Sequence, residues 1–124
     1  MNDWNYCIET LPKVSRTFAL NISVLKGDLH KSILVAYLFC RTIDTVEDAG
    51  NLDIPNKIRL LLGFASLLKN AENRKIALNQ WVEDISIVDG NSADLDLLKN
   101  TRKVFNVFDS LQGGHKQQII LSVC

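Results

Sequence analysis

The sequence predicts an all-α protein, and three observations support this prediction. Apolar residues recur every three or four positions along most of the chain. Nowhere do apolar and polar residues alternate strictly between turn signals, as they do in strands. The 124 residues, 47% hydrophobic and 23% charged, have the composition of a globular protein without a low-complexity tract. We therefore expect one domain of packed helices.

Two helices are expected before residue 28. Asp3 is the predicted N-cap of a short helix through Leu11, which Pro12 ends because proline disfavours helix in the residue before it. The polar segment 13–17 is then expected to be a loop. A second helix should end at Gly27. Its apolar residues at helical spacing are Phe18, Ala19, Ile22 and Leu25.

A long central helix is predicted next, over the stretch that reads LVAYLFCRTIDTVEDAG from Leu34 to Gly50. Asp28 is its candidate N-cap, its last residue is expected at Glu47 or Asp48, and Gly50 is positioned to end it. One side should pack into a core. The residues of that side are Val35, Phe39, Ile43 and Val46.

The second half of the chain predicts further amphipathic helices. Asp53 with Pro55 marks a helix start. Its predicted apolar face consists of Ile58, Leu61, Leu62, Ala65 and Leu68. The next helix repeats the pattern with Ala77, Trp81, Ile85 and Val88.

After a turn at residues 89–91, Ser92 is the predicted cap of a helix that Gly113 and Gly114 close. Its apolar residues are Leu98, Phe105, Phe108 and Leu111. Residues 116–124 read as the first turns of another helix, with an apolar side and neither cap nor polar tail. This ending predicts an interrupted domain.

Charge and cysteine content narrow the possible functions. Fourteen basic residues balance 14 acidic ones, so net charge predicts no nucleic-acid partner. The three cysteines, an odd number and widely spaced, favour neither a zinc site nor a disulfide framework, and they indicate a reducing, cytoplasmic setting. The N-terminus does not resemble a secretory signal, and the longest apolar run, 33–40, is far too short to span a bilayer. The sequence leaves a peripheral membrane association open.

The central helix carries the candidate chemistry. Since successive helical residues are rotated by about 100°, Tyr37, Arg41, Asp44 and Asp48 fall within about 60° of one another. We call these four residues the stripe. In the simplest interpretation the stripe is a solvated helix face. However, Tyr37 and the neighbouring Leu34 continue it into an apolar segment, which predicts a buried or cavity-lining surface.

The two aspartates of the stripe are like charges one turn apart, which is unfavourable unless something neutralises them. A divalent cation would do so, and carboxylates that face a cavity suit Mg²⁺, which commonly bridges carboxylates to substrate phosphates. Arg41 has two interpretations: it pairs with Asp44, or it offers a two-pronged donor to a diphosphate.

Two segments of the sequence, taken together, resemble a known family. They are Ser15-Arg16-Thr17-Phe18 and Tyr37-x-x-x-Arg41-x-x-Asp44-Thr45-x-Glu47-Asp48. This combination resembles the N-terminal region of the squalene/phytoene synthase family of head-to-head prenyl transferases, most clearly over residues 11–50. The sequence DTVED is more similar to the squalene synthase branch than to the others. The resemblance implies an isoprenoid synthase-type helical bundle, of which residues 1–124 are the N-terminal part of a larger single domain.

The resemblance also implies roles in binding a substrate. In that family the first aspartate-rich motif, here 44–48, binds the Mg²⁺ that holds the diphosphate of an allylic substrate, which is farnesyl diphosphate in the squalene branch. The matching metal residues are Asp44 and Asp48, with Glu47 in support. Arg41, Ser15 and Arg16 would contact the diphosphate.

Further roles concern the hydrocarbon part of the substrate. The tyrosine matching Tyr37 lies beside the reacting carbons, and the phenylalanine matching Phe18 helps to close the pocket. Metal and guanidinium would stabilise the leaving diphosphate, while an apolar, aromatic wall shields the carbocation from water. Two farnesyl diphosphates would thus be joined through a cyclopropyl intermediate. The squalene branch further implies NADPH for the parent protein, and no residue here can be assigned to it.

The chain departs from the family in one respect: it has no second aspartate-rich motif. The later aspartates, at 84, 89, 94, 96 and 109, include no pair four residues apart in a matching context. We therefore expect an N-terminal portion that is inactive by itself. Two alternatives stay open for the parent protein, a phytoene or dehydrosqualene synthase and a non-catalytic helical interaction module.

Several residues also have plainer interpretations. Ser15 serves equally well as a helix cap, and Phe18 as a core residue. Glu47 lies off the stripe and can pair with a surface lysine. Trp81 is expected to be packing, and both histidines are expected at the surface.

Overall fold

The structure, a computed structural model, describes residues 2–17, 19, 27–70 and 72–123. These residues form seven α-helices and one short 3₁₀ helix, and they contain no strand, so the all-α prediction is confirmed. The helices are α1 (Asp3–Val14), α2 (Gly27–Asp48), α3 (Ile54–Lys69), α4 (Arg74–Asp84), the 3₁₀ helix (Ile85–Ile87), α5 (Ser92–Lys99), α6 (Thr101–Asp109) and α7 (Gly113–Val123).

Helix α1 differs from its prediction at both ends. Asn2, rather than Asp3, is the N-cap, and its side-chain oxygen accepts a hydrogen bond from a backbone N–H of the first turn at 2.7 Å. Pro12 lies inside the helix, which continues for two more residues. A proline in this position removes only one donor, and the helix end is still closed because the Ser15 N–H donates to the Leu11 carbonyl at 2.8 Å. The predicted loop at 13–17 is therefore wrong.

The predicted bounds of the central helix are nearly those observed. Helix α2 ends at Asp48, as predicted. Gly27 begins it with φ +63°, a conformation that favours glycine, and Asp28 lies in the first turn rather than at the cap. The predicted apolar residues Phe18, Ile22 and Leu25 of the preceding helix lie outside the described residues.

The contacts of the chain form two compact units. The first consists of residues 1–41 and 103–124. Three aromatic rings pack in its core: the centroid of Phe39 lies 4.8 Å from that of Phe105 and 5.5 Å from that of Phe108. Trp4, on α1, is half-buried, with the Lys31 ammonium 5.3 Å from its ring centroid. His30 also meets this ring edge-on at 5.6 Å, so it has an aromatic partner that the sequence did not predict.

The second unit consists of residues 42–102. Helix α3 starts as predicted, with Asp53 as its N-cap. It buries Leu60, Phe64, Leu67 and Leu68. The predicted apolar face is therefore only partly buried: Leu68 is buried, Leu61 and Ala65 are half-buried, and Ile58 and Leu62 are 51% and 65% exposed. The helix is apolar on two faces, and the structure buries the other one.

Trp81 joins α3 to α4, which confirms its predicted packing role. Its indole N–H donates to the Leu60 carbonyl at 2.9 Å, and its ring lies 5.3 Å from that of Phe64. Gly63 passes close to it, since a Cβ built on this glycine would lie 3.1 Å from the indole. Of the other three residues in the predicted apolar pattern of this helix, Ile85 and Val88 are buried and Ala77 is exposed.

The rest of the predicted pattern needs three corrections. Asn91, rather than Ser92, caps α5, and its side-chain oxygen accepts from the Asp94 N–H at 2.8 Å. The single helix predicted after it is two helices, since α5 ends at Lys99 with Asn100 as its C-cap. Gly113 begins α7 instead of ending α6. Among the described residues, no helix is long and apolar enough to cross a membrane.

Candidate functional site

Helix α2 carries five of the eight predicted site residues within its last 12 residues. The core-facing side of the helix is buried as predicted at Val35, Phe39 and Val46, while Ile43 is half-buried. This burial fixes the rotation of the helix and turns the stripe away from the core.

Burial decreases along the stripe toward the C-terminal end of α2. Leu34, beside the stripe, is buried, and Tyr37 and Arg41 are half-buried. Asp44 and Asp48 are exposed. Of the predicted buried or cavity-lining surface, burial is therefore complete only at Leu34 and partial at Tyr37 and Arg41, and burial is wrong for the two aspartates.

The acidic end of α2 lies in the second unit. Within the described part of the chain, the carboxylates of Asp44, Glu47 and Asp48 make neither hydrogen bonds nor ion pairs. A lysine does approach Glu47, as one interpretation of the sequence suggested, but it binds the backbone. The Lys57 ammonium donates to the Glu47 carbonyl at 2.6 Å. All three carboxylates are therefore left with unused acceptor oxygens.

The predicted diphosphate contacts of the first unit are described in part. Ser15 is half-buried and is the C-cap of α1. It also directly precedes the helical residues 16 and 17, and its carbonyl accepts from the Ala19 N–H at 3.1 Å, as the helix-cap interpretation expects. Arg16 is exposed, and within the described residues its guanidinium has neither a hydrogen bond nor an ion pair. Phe18 lies outside the described residues.

The carboxylates at the acidic end of α2 are candidate metal ligands. No three side chains of His, Cys, Asp and Glu converge on one point in the described ranges, so Asp44, Glu47 and Asp48 do not form a closed set of ligands. Mg²⁺ does not need one, since it keeps several waters and is commonly held by one or two carboxylates together with substrate phosphates. The exposed, unpartnered Asp44 and Asp48, one helical turn apart, fit this open kind of binding.

Sequence reasoning missed two residues that hold the acidic end in place. One is Lys57, described above. The other is Asn51, whose side-chain amide donates to the Ile87 carbonyl at 2.6 Å and accepts from the Asp89 N–H at 3.0 Å. The first contact spans 36 residues of sequence, so no local pattern could have revealed it.

A groove elsewhere in the second unit contains none of the predicted site residues. It has a volume of about 530 Å³, and Arg59, Trp81 and Asp84 are among its lining residues. Arg59 and Asp84 form an ion pair across 3.6 Å. This groove and the predicted site residues thus lie in different places.

Comparison with known proteins gives one family match. The model of the family described as squalene/phytoene synthase matches residues 11–121. Among curated proteins, squalene synthase 10 of Panax ginseng is 31% identical over 116 residues, which are 94% of this chain and 25% of that protein. Squalene synthase of Mus musculus is 41% identical over 68 residues, 55% of this chain and 16% of that protein. Squalene synthase 1 of Arabidopsis thaliana is 39% identical over 61 residues, 49% of this chain and 15% of that protein.

The chain therefore spans at most a quarter of the length of these relatives. The family match extends well beyond residues 11–50, where the sequence motifs are found.

Proposed function

The chain belongs to the squalene/phytoene synthase family, and we propose that the protein of which it is a part is a squalene synthase-like prenyl transferase. In this proposal the parent protein joins two farnesyl diphosphates head-to-head. The relatives named squalene synthase and the DTVED sequence at 44–48 support the squalene branch.

One structural observation supports the proposal at the level of individual residues. A single helix presents half-buried Tyr37 and Arg41 and, in its last two turns, the exposed carboxylates of Asp44 and Asp48. The carboxylates have no partner among the described residues. Acids without partners at the end of a helix are unfavourable for the fold, and a bound cation would offset this cost.

In the proposed mechanism the residues of this chain act on the diphosphate end of the substrate. Asp44 and Asp48 would hold Mg²⁺, with Glu47 in support. When bound, the ion supplies positive charge that stabilises the departing diphosphate. Arg41 and Arg16 would donate to diphosphate oxygens, and Ser15 would contact the diphosphate as well. As the allylic C–O bond breaks, its electron pair leaves with the diphosphate, and these donors stabilise the growing negative charge.

The residues at the other end of the stripe would act on the hydrocarbon. Tyr37 lies where the helix passes from apolar to polar, and its half-buried ring would line the region of the carbocation. Together with Phe18 it would exclude water, which otherwise captures a carbocation. This chain alone lacks a second set of acids, so we expect the isolated chain to be inactive.

The proposal is tested in the parent protein with farnesyl diphosphate and Mg²⁺. The double variant Asp44→Asn, Asp48→Asn should reduce turnover by more than about a hundredfold, because it loses Mg²⁺ binding and with it the positive charge of the ion. The matched control is Glu83→Gln, which removes an exposed acid of the same unit. Unchanged turnover and Mg²⁺ dependence in the double variant would instead favour a non-catalytic interaction module.

A second measurement separates the two catalytic branches. A squalene synthase needs reduced nicotinamide for its final product, and a phytoene or dehydrosqualene synthase stops at a non-reduced one. The products are therefore compared with and without NADPH. A product that is the same in both reactions would contradict the squalene assignment.

A further inference from the structure

The acidic residues of α2 lie where a helix tolerates them least. The last turns of a helix expose carbonyl groups without partners and carry a partial negative charge. Helix α2 has no basic residue in its last turn, and Asp44, Glu47 and Asp48 all lie in its last five residues. The Lys57 ammonium supports one of these carbonyls, that of Glu47. Without further support this end is expected to fray, and the directions of the carboxylates would vary.

Asn51 supplies such a support just beyond the end of the helix. Both sides of its amide are used: Nδ2 donates to the Ile87 carbonyl at 2.6 Å, and Oδ1 accepts from the Asp89 N–H at 3.0 Å. The helix end is thereby joined to the segment 85–91 by two hydrogen bonds. Only a side chain with a donor and an acceptor on one rigid group can make both.

The segment 85–91 is itself anchored, so it can act as a fixed support. Ile85 and Val88 are buried, and the Val88 N–H donates to the Ile85 carbonyl at 3.0 Å. Gly90 lies beside α2, since a Cβ built there would be 3.6 Å from the methyl group of Thr45. Thr45 follows Asp44 directly. The segment therefore lies beside the acidic region of α2, and Asn51 binds it just after the end of the helix.

From these contacts we propose that Asn51 is a positioning residue for the metal-binding end of α2. Both sides of its amide are engaged by the backbone, so we assign it no metal or substrate contact. It acts by holding the last turn of α2 against the segment 85–91, which fixes the directions of Asp44 and Asp48. This inference rests on the proposed function, because it assigns to the two aspartates the role of holding Mg²⁺. Mutation of a residue that orients a metal ligand without binding the metal itself commonly lowers metal affinity by about 10–100-fold.

The test uses this chain, with Mn²⁺ as a probe of the Mg²⁺ site. Two quantities are measured by NMR: hydrogen exchange of the amides of residues 45–48, and the Mn²⁺ concentration that half-maximally broadens the signals of Asp44 and Asp48. Asn51→Ala should speed the exchange about tenfold through loss of the two hydrogen bonds and raise the half-maximal Mn²⁺ concentration about tenfold. Asn51→Asp, which keeps the acceptor and loses the donor, should also speed the exchange.

The matched control is Asn70→Ala. Asn70 is an exposed asparagine in the same unit, also at the end of a helix, where its amide donates to the Ser66 carbonyl at 3.1 Å. It should leave both quantities at residues 44–48 unchanged. Exchange and Mn²⁺ affinity that are the same in Asn51→Ala as in the wild type would overturn the inference, and so would an Asn70→Ala effect of equal size. A wild-type chain whose aspartate signals Mn²⁺ does not broaden would overturn the metal role itself, while the exchange would still decide whether Asn51 holds the helix end.

Discussion

Replacing Asp48 by asparagine is expected to stabilise the fold and to remove its response to magnesium. Asp48 is the last residue of α2, is exposed and has no partner among the described residues. An acid at this end of a helix is disfavoured by about 0.3–1 kcal/mol through the helix dipole, and the like charge of Asp44 one turn away adds about 0.2–0.5 kcal/mol. The Lys57 ammonium on the Glu47 carbonyl offsets part of both effects. We therefore expect Asp48→Asn to raise the free energy of unfolding by about 0.5–1 kcal/mol.

The assay is urea unfolding followed by circular dichroism, at low salt and pH 7, with a chelator present. High salt should reduce the gain, because exposed charges are screened within about 3 Å at 1 M. Mg²⁺ at ten times its dissociation constant should stabilise the wild type by about 1.4 kcal/mol and leave the variant unchanged. The order of stability should therefore reverse on adding the metal.

The control is Asp109→Asn. Asp109 is also the last residue of its helix, but it has a cation, since the Lys116 ammonium lies 3.9 Å from its carboxylate. Its replacement should bring no gain. The reasoning would be refuted by an Asp48→Asn chain that is no more stable than the wild type without metal, or by an equal gain at Asp109.

Two further predictions follow from buried groups. Arg74 is buried, and its guanidinium donates to two carbonyls at the C-terminal end of α3 at 2.7 and 3.3 Å. Arg74→Ala should therefore lower the free energy of unfolding, measured by urea titration, by about 2–3 kcal/mol. Arg74→Lys should lower it less. The thiol of Cys7 is buried, which raises its pKa to about 12, with a smaller contribution from the charge of Asp3. At pH 8, in a Cys124→Ser background, a thiol reagent should therefore label the exposed Cys40 first and Cys7 only as the chain unfolds. Since the folded state holds this proton more tightly than the unfolded state, Cys7 should also make stability fall as the pH rises from about 9 to about 12, and Cys7→Ala should remove that decline in the measured unfolding free energy.

The sequence predicts helices well where a single signal dominates. Helix α2 has one buried side and an N-terminal glycine, and its end at Asp48 was predicted correctly. Asp53 followed by Pro55 is an unambiguous start, and α3 begins there. In both cases the local chemistry and the tertiary contacts favour the same structure.

The prediction failed where two signals compete. Helix α3 is apolar around most of its circumference, so its periodicity cannot show which face is buried; the contact with Trp81 decides it. Pro12 usually ends a helix, but the helix end here is closed by the Ser15 N–H, and packing of the buried Leu11 adds to the stability of the turn.

The candidate site likewise has a part that the sequence predicts and a part that depends on tertiary contacts. The four residues of the stripe follow from the rotation of a helix, which the sequence gives directly. The support at Asn51 depends on a partner 36 residues away, and nothing near Asn51 in the sequence distinguishes it from an ordinary loop asparagine. The exposure of Asp44 and Asp48 likewise depends on tertiary structure, which periodicity does not report.

The two tryptophans have a practical consequence, because each compact unit contains one of them. Trp4 is half-buried beside the Lys31 ammonium, whereas Trp81 is buried and bound through its indole N–H. Their fluorescence should therefore differ in emission wavelength and in access to a quencher such as iodide. Single-tryptophan chains, made by Trp4→Phe or Trp81→Phe, would each report optically on one unit, so that the melting of the two units could be followed separately in the same solution conditions.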